Sequence, residues 1–156
     1  MIFSKFFPGT KQNLKAEPEV IPWDKSYEIG HELIDSQHRI FLMILNKLIK
    51  SIAQGVTKEY MFRTLMELKK YAEFHFISEE NVMLDCGYLN VNQHQHIHSE
   101  LLFEFTVLSD RVAQGRAEPD EVVSFIKGWL LNHILHEDIQ IAQYVRRCSD
   151  EGGQME

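Results

Sequence analysis

The 156-residue sequence predicts an all-α fold, an antiparallel up-down-up-down four-helix bundle with an N-terminal arm. Three observations predict it. Four stretches repeat apolar residues with the period of a helix that buries one face. Glycines at 55, 87 and 115 interrupt the chain between those stretches, and neither strand-like alternation nor a hairpin signal occurs. Short connections between helices favour antiparallel neighbours.

Residues 1–22 carry Pro8, Pro18 and Pro22, Gly9 and scattered lysines without helical periodicity, and read as an arm outside the core. The bundle is expected over residues 23–148, with a tail at 149–156. The first helix is expected from about Ile34, its apolar face formed by Ile40, Phe41, Ile44, Leu45, Leu48, Ile49 and Ile52, with Gly55 as the stop. The second starts at Lys58 and repeats the pattern through Met61, Phe62, Leu65, Leu68, Tyr71, Ala72 and Phe76 to about Cys86, with Gly87 behind it. The third runs from about Val91 through Leu101, Leu102, Phe105 and Leu108 to Gly115. The fourth opens at Pro119, a residue suited to a first helical position, and continues to about Arg147.

Composition narrows the function. A 44% apolar chain of this length supports one full core. A net charge of −7 and a pI near 5.6, without a Lys/Arg stripe, argue against a nucleic-acid surface, which needs cations to replace counterions. No apolar run reaches the roughly 18 residues of a membrane span, and MIFSKFF is cut by Lys5 and ended by Pro8. Cys86 and Cys148 are distant in sequence and lack a C-x-x-C spacing, so both are expected to remain thiols in a reducing, cytoplasmic setting.

Polar residues then interrupt the apolar stripes. In NQHQHIHSE (92–100), a helix turning about 100° per residue puts His94 and His98 on one face and His96 nearly opposite. His38, His75 with Glu79, and His133 with a trailing acid sit on the buried stripes of the other helices, where unpaired polar groups are costly. His38 and His75 lie about 18 and 19 residues from the first turn, 75–79 and 94–98 face each other across the short turn near 88, and 94–98 and 133–138 lie about 21 and 18 residues from the turn near 117, so antiparallel packing brings all of them to one layer. Five imidazoles and at least two carboxylates exceed the needs of a single tetrahedral ion, and mixed nitrogen and oxygen donors in that number suit two irons bridged by carboxylates. The di-iron oxidase pattern, two Glu plus two Glu-x-x-His, is not met: only Glu28 with His31 has that spacing, ahead of the first helix.

Trp23 and Tyr27 with Gly30, IDSQH (34–38), HFISEE (75–80), His94 with His98, and WLLNHILHED (129–138) together resemble the hemerythrin family over roughly residues 22–147. The resemblance implies a four-helix bundle with two iron ions joined by a hydroxide or oxo bridge. His94, His98 and His133 would hold one iron, His38 and His75 the other, and Glu79 and Asp138 would bridge them. It also implies dioxygen as the ligand, in a carrier or sensor rather than an enzyme. Nitric oxide and small anions are further candidate ligands, and no nucleic-acid or membrane partner is expected. Phe41, Phe76, Trp129 and Leu130 are expected to line the pocket and keep water away. An enzymatic reading, peroxidase or NO reduction, and a signalling reading through a partner stay open.

Helical phase and resemblance disagree at one ligand. Glu137 is the better partner of His133 in a regular helix, whereas Asp138 falls about 140° round. Preferring Asp138 carries a structural expectation, a π-type turn in the fourth helix. His136, one turn past His133, is expected to be partly exposed, and His31 to be a helix-start or surface residue.

Overall fold

The computed structural model describes residues 18–152 and their side chains to residue 148. Its helices are α1 (Glu32–Ala53), α2 (Lys58–Asp85), α3 (Val91–Ala113), α4 (Pro119–Asn132) and α5 (Ala142–Gly152). Between α4 and α5 lie a π-helical turn, His133–Glu137, and a 3₁₀ turn, Asp138–Gln140, so the run from α4 through α5 forms the fourth rod of an all-helical four-helix bundle. No strand occurs among the described residues.

Local chemistry sets the ends. Thr57 caps α2 by accepting the Tyr60 amide at 3.2 Å, an interaction worth about 1 kcal/mol. Gly55 (φ 78°) and Gly87 (φ 65°) adopt the left-handed conformation that reverses the chain behind α1 and α2, which a Cβ would penalise. Pro119 begins α4, where its missing N–H removes no helical hydrogen bond.

α2 packs between α1 and α3, and α4 closes on α1. The main core gathers Phe41, Leu45 and Leu48 from α1, Leu65, Leu68 and Phe76 from α2, Phe105 from α3, and Ile126 and Leu130 from α4. Each fully buried Leu contributes about 1.5–3 kcal/mol relative to exposure. A smaller core of Ile29, Ile34, Val82, Met83, Tyr88, Ile141 and Val145 lies towards the other end. Along α1, His38 falls between Ile34 of the small core and Phe41 of the large one. Glu79 falls likewise between Phe76 and Val82, and Asp138 between Ile134 and Ile141. A polar layer therefore crosses the bundle, sealed by apolar residues above and below.

Two details depart from the expected pattern. Ile40 is 40% exposed, because the buried stripe of α1 passes through Phe41, Leu42, Ile44 and Leu45 instead. Ile21, at the end of the expected arm, is buried in the main core. Asn46 of α1 holds it from both sides, accepting the Ile21 amide at 2.8 Å and donating to its carbonyl at 2.7 Å. The arm before residue 18 lies outside the described residues.

Candidate metal centre

Each rod delivers its polar residues to the layer by helical phase. His94 and His98, four apart on α3, are each 2% exposed, and His96 between them is a surface side chain 3.3 Å from Glu100. His38 (0%), His75 (1%), Glu79 (0%), His133 (4%) and Asp138 (0%) complete the layer. Asp138 reaches it through the π turn: its amide donates to the carbonyl of His133, five residues back, and absorbs the extra residue that would have rotated its side chain away. Glu137 stays half-buried at the side, within 3.4 Å of the Gln140 amide.

The donors form two overlapping groups. One comprises Glu79, His94, His98, His133 and Asp138, the other His38, His75, Glu79 and Asp138, with the donor atoms inside each group all within 4.8 Å of one another. Both carboxylates are common to the two groups. Glu79 Oε2 lies 3.3 Å from His98 Nε2 and 3.5 Å from His94 Nε2. Asp138 Oδ1 is 2.9 Å from His133 Nε2 and 3.4 Å from His94 Nε2, while its Oδ2 faces His38 Nε2 at 3.3 Å.

These atoms face one another without being mutually satisfied. Both oxygens of Glu79 and of Asp138, and the Nε2 atoms of His38, His94, His98 and His133, are buried with no hydrogen-bond partner. So many orphaned polar atoms in an apolar sheath would cost several kcal/mol if nothing joined them. Two ligands each about 2.1 Å from an ion sit about 3.0 Å apart at right angles and about 3.4 Å apart at the tetrahedral angle, and the separations here run from 2.9 to 3.5 Å. The donor set fits metal ions.

The outward ring nitrogens explain why the inward ones are free to coordinate. His38 Nδ1 donates to the Tyr27 carbonyl at 2.7 Å, which leaves the Nε2 lone pair facing the layer. His75 Nδ1 donates to Gln37 Oε1 at 2.8 Å, and Gln37 is oriented in turn by donating to Ser78 Oγ at 3.1 Å. His98 Nδ1 donates to Glu80 Oε1 at 2.8 Å, whose other oxygen accepts from Gln95 at 3.0 Å. Asp35 secures the loop that presents Tyr27 by accepting the amides of Ile29 and Gly30 at 2.7 and 3.2 Å. His133 differs: its Nδ1 is buried and unpartnered. Gln37 and Glu80 carry no sequence signal beyond a polar residue beside each of His38 and Glu79.

Electrostatics follow from burial and the two acids. Burial drives the His75 imidazole down to about 4, so it is neutral at pH 7. For His94 burial also opposes the charge, but the carboxylates of Asp138 and Glu79 outweigh it and raise the group to about 9. Burial opposes ionisation of Glu79, as does the Asp138 charge, yet the neighbouring imidazoles hold it down at about 2.

All four residues expected to line the pocket are buried. The Phe76 ring stacks on His98, with centroids 3.9 Å apart and planes 7° from parallel, and lies 5.8 Å from His75. Phe41 stands edge-on to His75 at 5.4 Å, and Trp129 lies 6.1 and 6.0 Å from Phe41 and Phe76. Trp129 is held by donating to the Leu101 carbonyl at 3.0 Å. Leu130 belongs to the same core. His136 is exposed, and with Glu137, Trp129 and His133 it borders a groove of about 470 Å³ between α3 and α4. His31 occupies the N-cap position of α1.

Fold and donor set together define a helical bundle with a buried imidazole–carboxylate metal centre. Residues 29–145 match the family model described as the Hemerythrin HHE cation binding domain, and the chain belongs to the hemerythrin family. It is 29% identical over 129 residues to a bacteriohemerythrin of Pseudomonas paraeruginosa, a match covering 83% of this chain and 84% of the relative. It is 30% identical over 117 residues to the myohemerythrin of Riftia pachyptila, covering 75% and 87% of the two chains. A crystal structure of wild-type hemerythrin superposes with a TM-score of 0.72 at 27% identity, covering 81% of this chain and 98% of that one. Membership implies a non-heme di-iron centre, which the orphaned donors of the layer fit.

Proposed function

We propose that this protein binds dioxygen reversibly at a di-iron centre, for storage, delivery or sensing, with His94, His98 and His133 on one iron, His38 and His75 on the other, and Glu79 and Asp138 shared. The observation that carries the reading is the asymmetry of the two donor groups, three imidazoles against two around the same pair of carboxylates. If an oxygen were shared as well, the first group would offer six donors and the second five, so an exogenous ligand would be taken on the His38 and His75 side. When bound, the iron pair supplies two reducing equivalents to a ligand at that position.

The chain's own residues supply the rest. Gln37, Glu80 and the Tyr27 carbonyl hold three imidazoles in the tautomer that points Nε2 inward. Phe41, Phe76, Trp129 and Leu130 exclude water, so a bound ligand is not hydrated and lost. Two carboxylates, where oxidase-type bundles use four, favour binding over bond cleavage and support a carrier or sensor over an enzyme. Nitric oxide and small anions fit the same open position. Among the described residues no helix is long and apolar enough to cross a membrane. The acidic composition without a Lys/Arg stripe supports the absence of a nucleic-acid partner, and two cysteines without a C-x-x-C spacing support a cytoplasmic location. The bundle, expected over residues 23–148, takes in Ile21 at one end and α5 to Gly152 at the other.

Optical titration tests the proposal. Reduced, iron-loaded protein is expected to be nearly colourless, to gain visible charge-transfer absorption in air, and to lose it again under argon. A one-way change with a reduced product released at each exposure would contradict it.

A further inference from the structure

The two cysteines, 86 and 148, are brought together where α5 packs on the end of α2. Cys86 is the C-cap of α2, immediately before the Gly87 turn, and Cys148 lies on α5. Cys148 Sγ is 4.0 Å from the carbonyl oxygen of Asp85, the residue bonded to Cys86. Both are free, both are half-buried, and both border one pocket of about 260 Å³ with Asp85, Tyr144 and Arg147. Burial, with the adjoining Cys148 thiol next in weight, pushes the Cys86 thiol up to about 12.

We propose that Cys86 and Cys148 form a redox-active dithiol that closes into a reversible intrachain disulfide. Its oxidant is a low-molecular-weight disulfide carrying carboxylates, which Arg147 on the pocket wall attracts. The Cys148 thiolate attacks one sulfur of that disulfide, forming a mixed disulfide and expelling one thiolate. Cys86, deprotonated as the expelled thiolate takes up a proton, then attacks the Cys148 sulfur and expels the second. Two electrons pass from the protein to the small disulfide, and the two protein thiol protons end on two small thiols. Cys148 is the attacking thiol because Cys86 caps the C-terminal end of α2 beside Asp85, where the helix end and the carboxylate both disfavour a thiolate. Both residues stand near helix ends, where local adjustment is least costly, so the sulfurs can meet.

The bond would matter to the metal layer. α5 continues from the 3₁₀ turn that starts at Asp138, and α2 carries Glu79, so closure ties together the two segments that hold the shared carboxylates. Ring contacts run the same way, from Tyr144 to Tyr88 at 5.0 Å and from Tyr88 to His94 at 6.3 Å.

The test incubates iron-loaded full-length protein with oxidised glutathione and counts thiols. The expected result is loss of both thiols, a mass decrease of about 2 Da, a peptide joining 86 to 148, and recovery with a dithiol reductant. The Tm should rise by about 5 °C or more on oxidation, since the bond closes a long loop. Cys86→Ser should accumulate a glutathione adduct on Cys148, whereas Cys148→Ser should react far more slowly. Two thiols persisting, adducts on both cysteines, or disulfides between chains would overturn the pair. Equal adduct formation by the two variants would overturn the role given to Cys148.

Discussion

α3 and the fourth rod each present donors to the same layer, but by different means. His94 and His98 use the i, i+4 spacing of an ordinary helix and need no distortion. His133 and Asp138 are five apart and meet only because the helix widens to a π turn between them. The anchoring differs too: His98 is braced by Glu80 at 2.8 Å, while His133 Nδ1 has no partner. Periodicity positions a donor cheaply, whereas a donor out of phase demands a backbone irregularity that the centre itself must repay. The fourth rod is therefore the part of the site whose donor geometry rests on a backbone irregularity.

The comparison breaks most visibly by deletion of donors. His98→Ala, His75→Ala and Asp138→Ala should each lose iron, measured as metal per chain after desalting. His96→Ala and Glu137→Ala should retain it. Iron loss in Glu137→Ala with retention in Asp138→Ala would mean that the π turn does not act as described.

Smaller changes sharpen the contrast. Gln37→Leu and Glu80→Ala leave the donors in place but free the imidazoles of His75 and His98. Iron affinity should fall by about 10–100-fold in a chelator competition. Unchanged affinity would deny the bracing role.

Acid–base behaviour gives a further test on α3. In metal-free protein His94 is raised from its ordinary value to about 9, so it is protonated at neutral pH and iron must displace that proton. The charged form stabilises the metal-free fold below about pH 6.5, and that stability is lost as pH rises through about 9. Iron affinity should rise over the same interval, by at most about tenfold per pH unit. Denaturant midpoints and chelator competition at several pH values check both signs. The smallest expected effect is that of Leu130→Asn: iron content nearly unchanged, but autoxidation hastened severalfold as a polar group recruits water to the pocket.

Much of this was legible in the sequence because helices and ligand phase share one rule. The four stripes located α1 to α3 and the start of α4 to within about two residues, and the spacing of 94, 96 and 98 distinguished inward from outward side chains. The disputed acid at 138 even foretold the π turn. What escaped depends on tertiary contact alone. Gln37 and Glu80 have no periodic signature as partners of His75 and His98. Asn46 reveals its grip on Ile21 only once both stand together. The neighbouring cysteines, 86 and 148, are joined by the return of α5 along α2, which spacing cannot express. Ile40 matched the apolar pattern but sits on the edge of the stripe, where phase alone does not separate core from surface.

The central claim is that Glu79 and Asp138 are shared between two irons unequally supplied with imidazole. Diffraction from crystals of the iron-loaded protein, with anomalous differences recorded at the iron edge, tests it most directly. Two peaks are expected, spanned by Glu79 and Asp138, with His94, His98 and His133 around one and His38 and His75 around the other. A single peak, or Glu137 in place of Asp138, would contradict it.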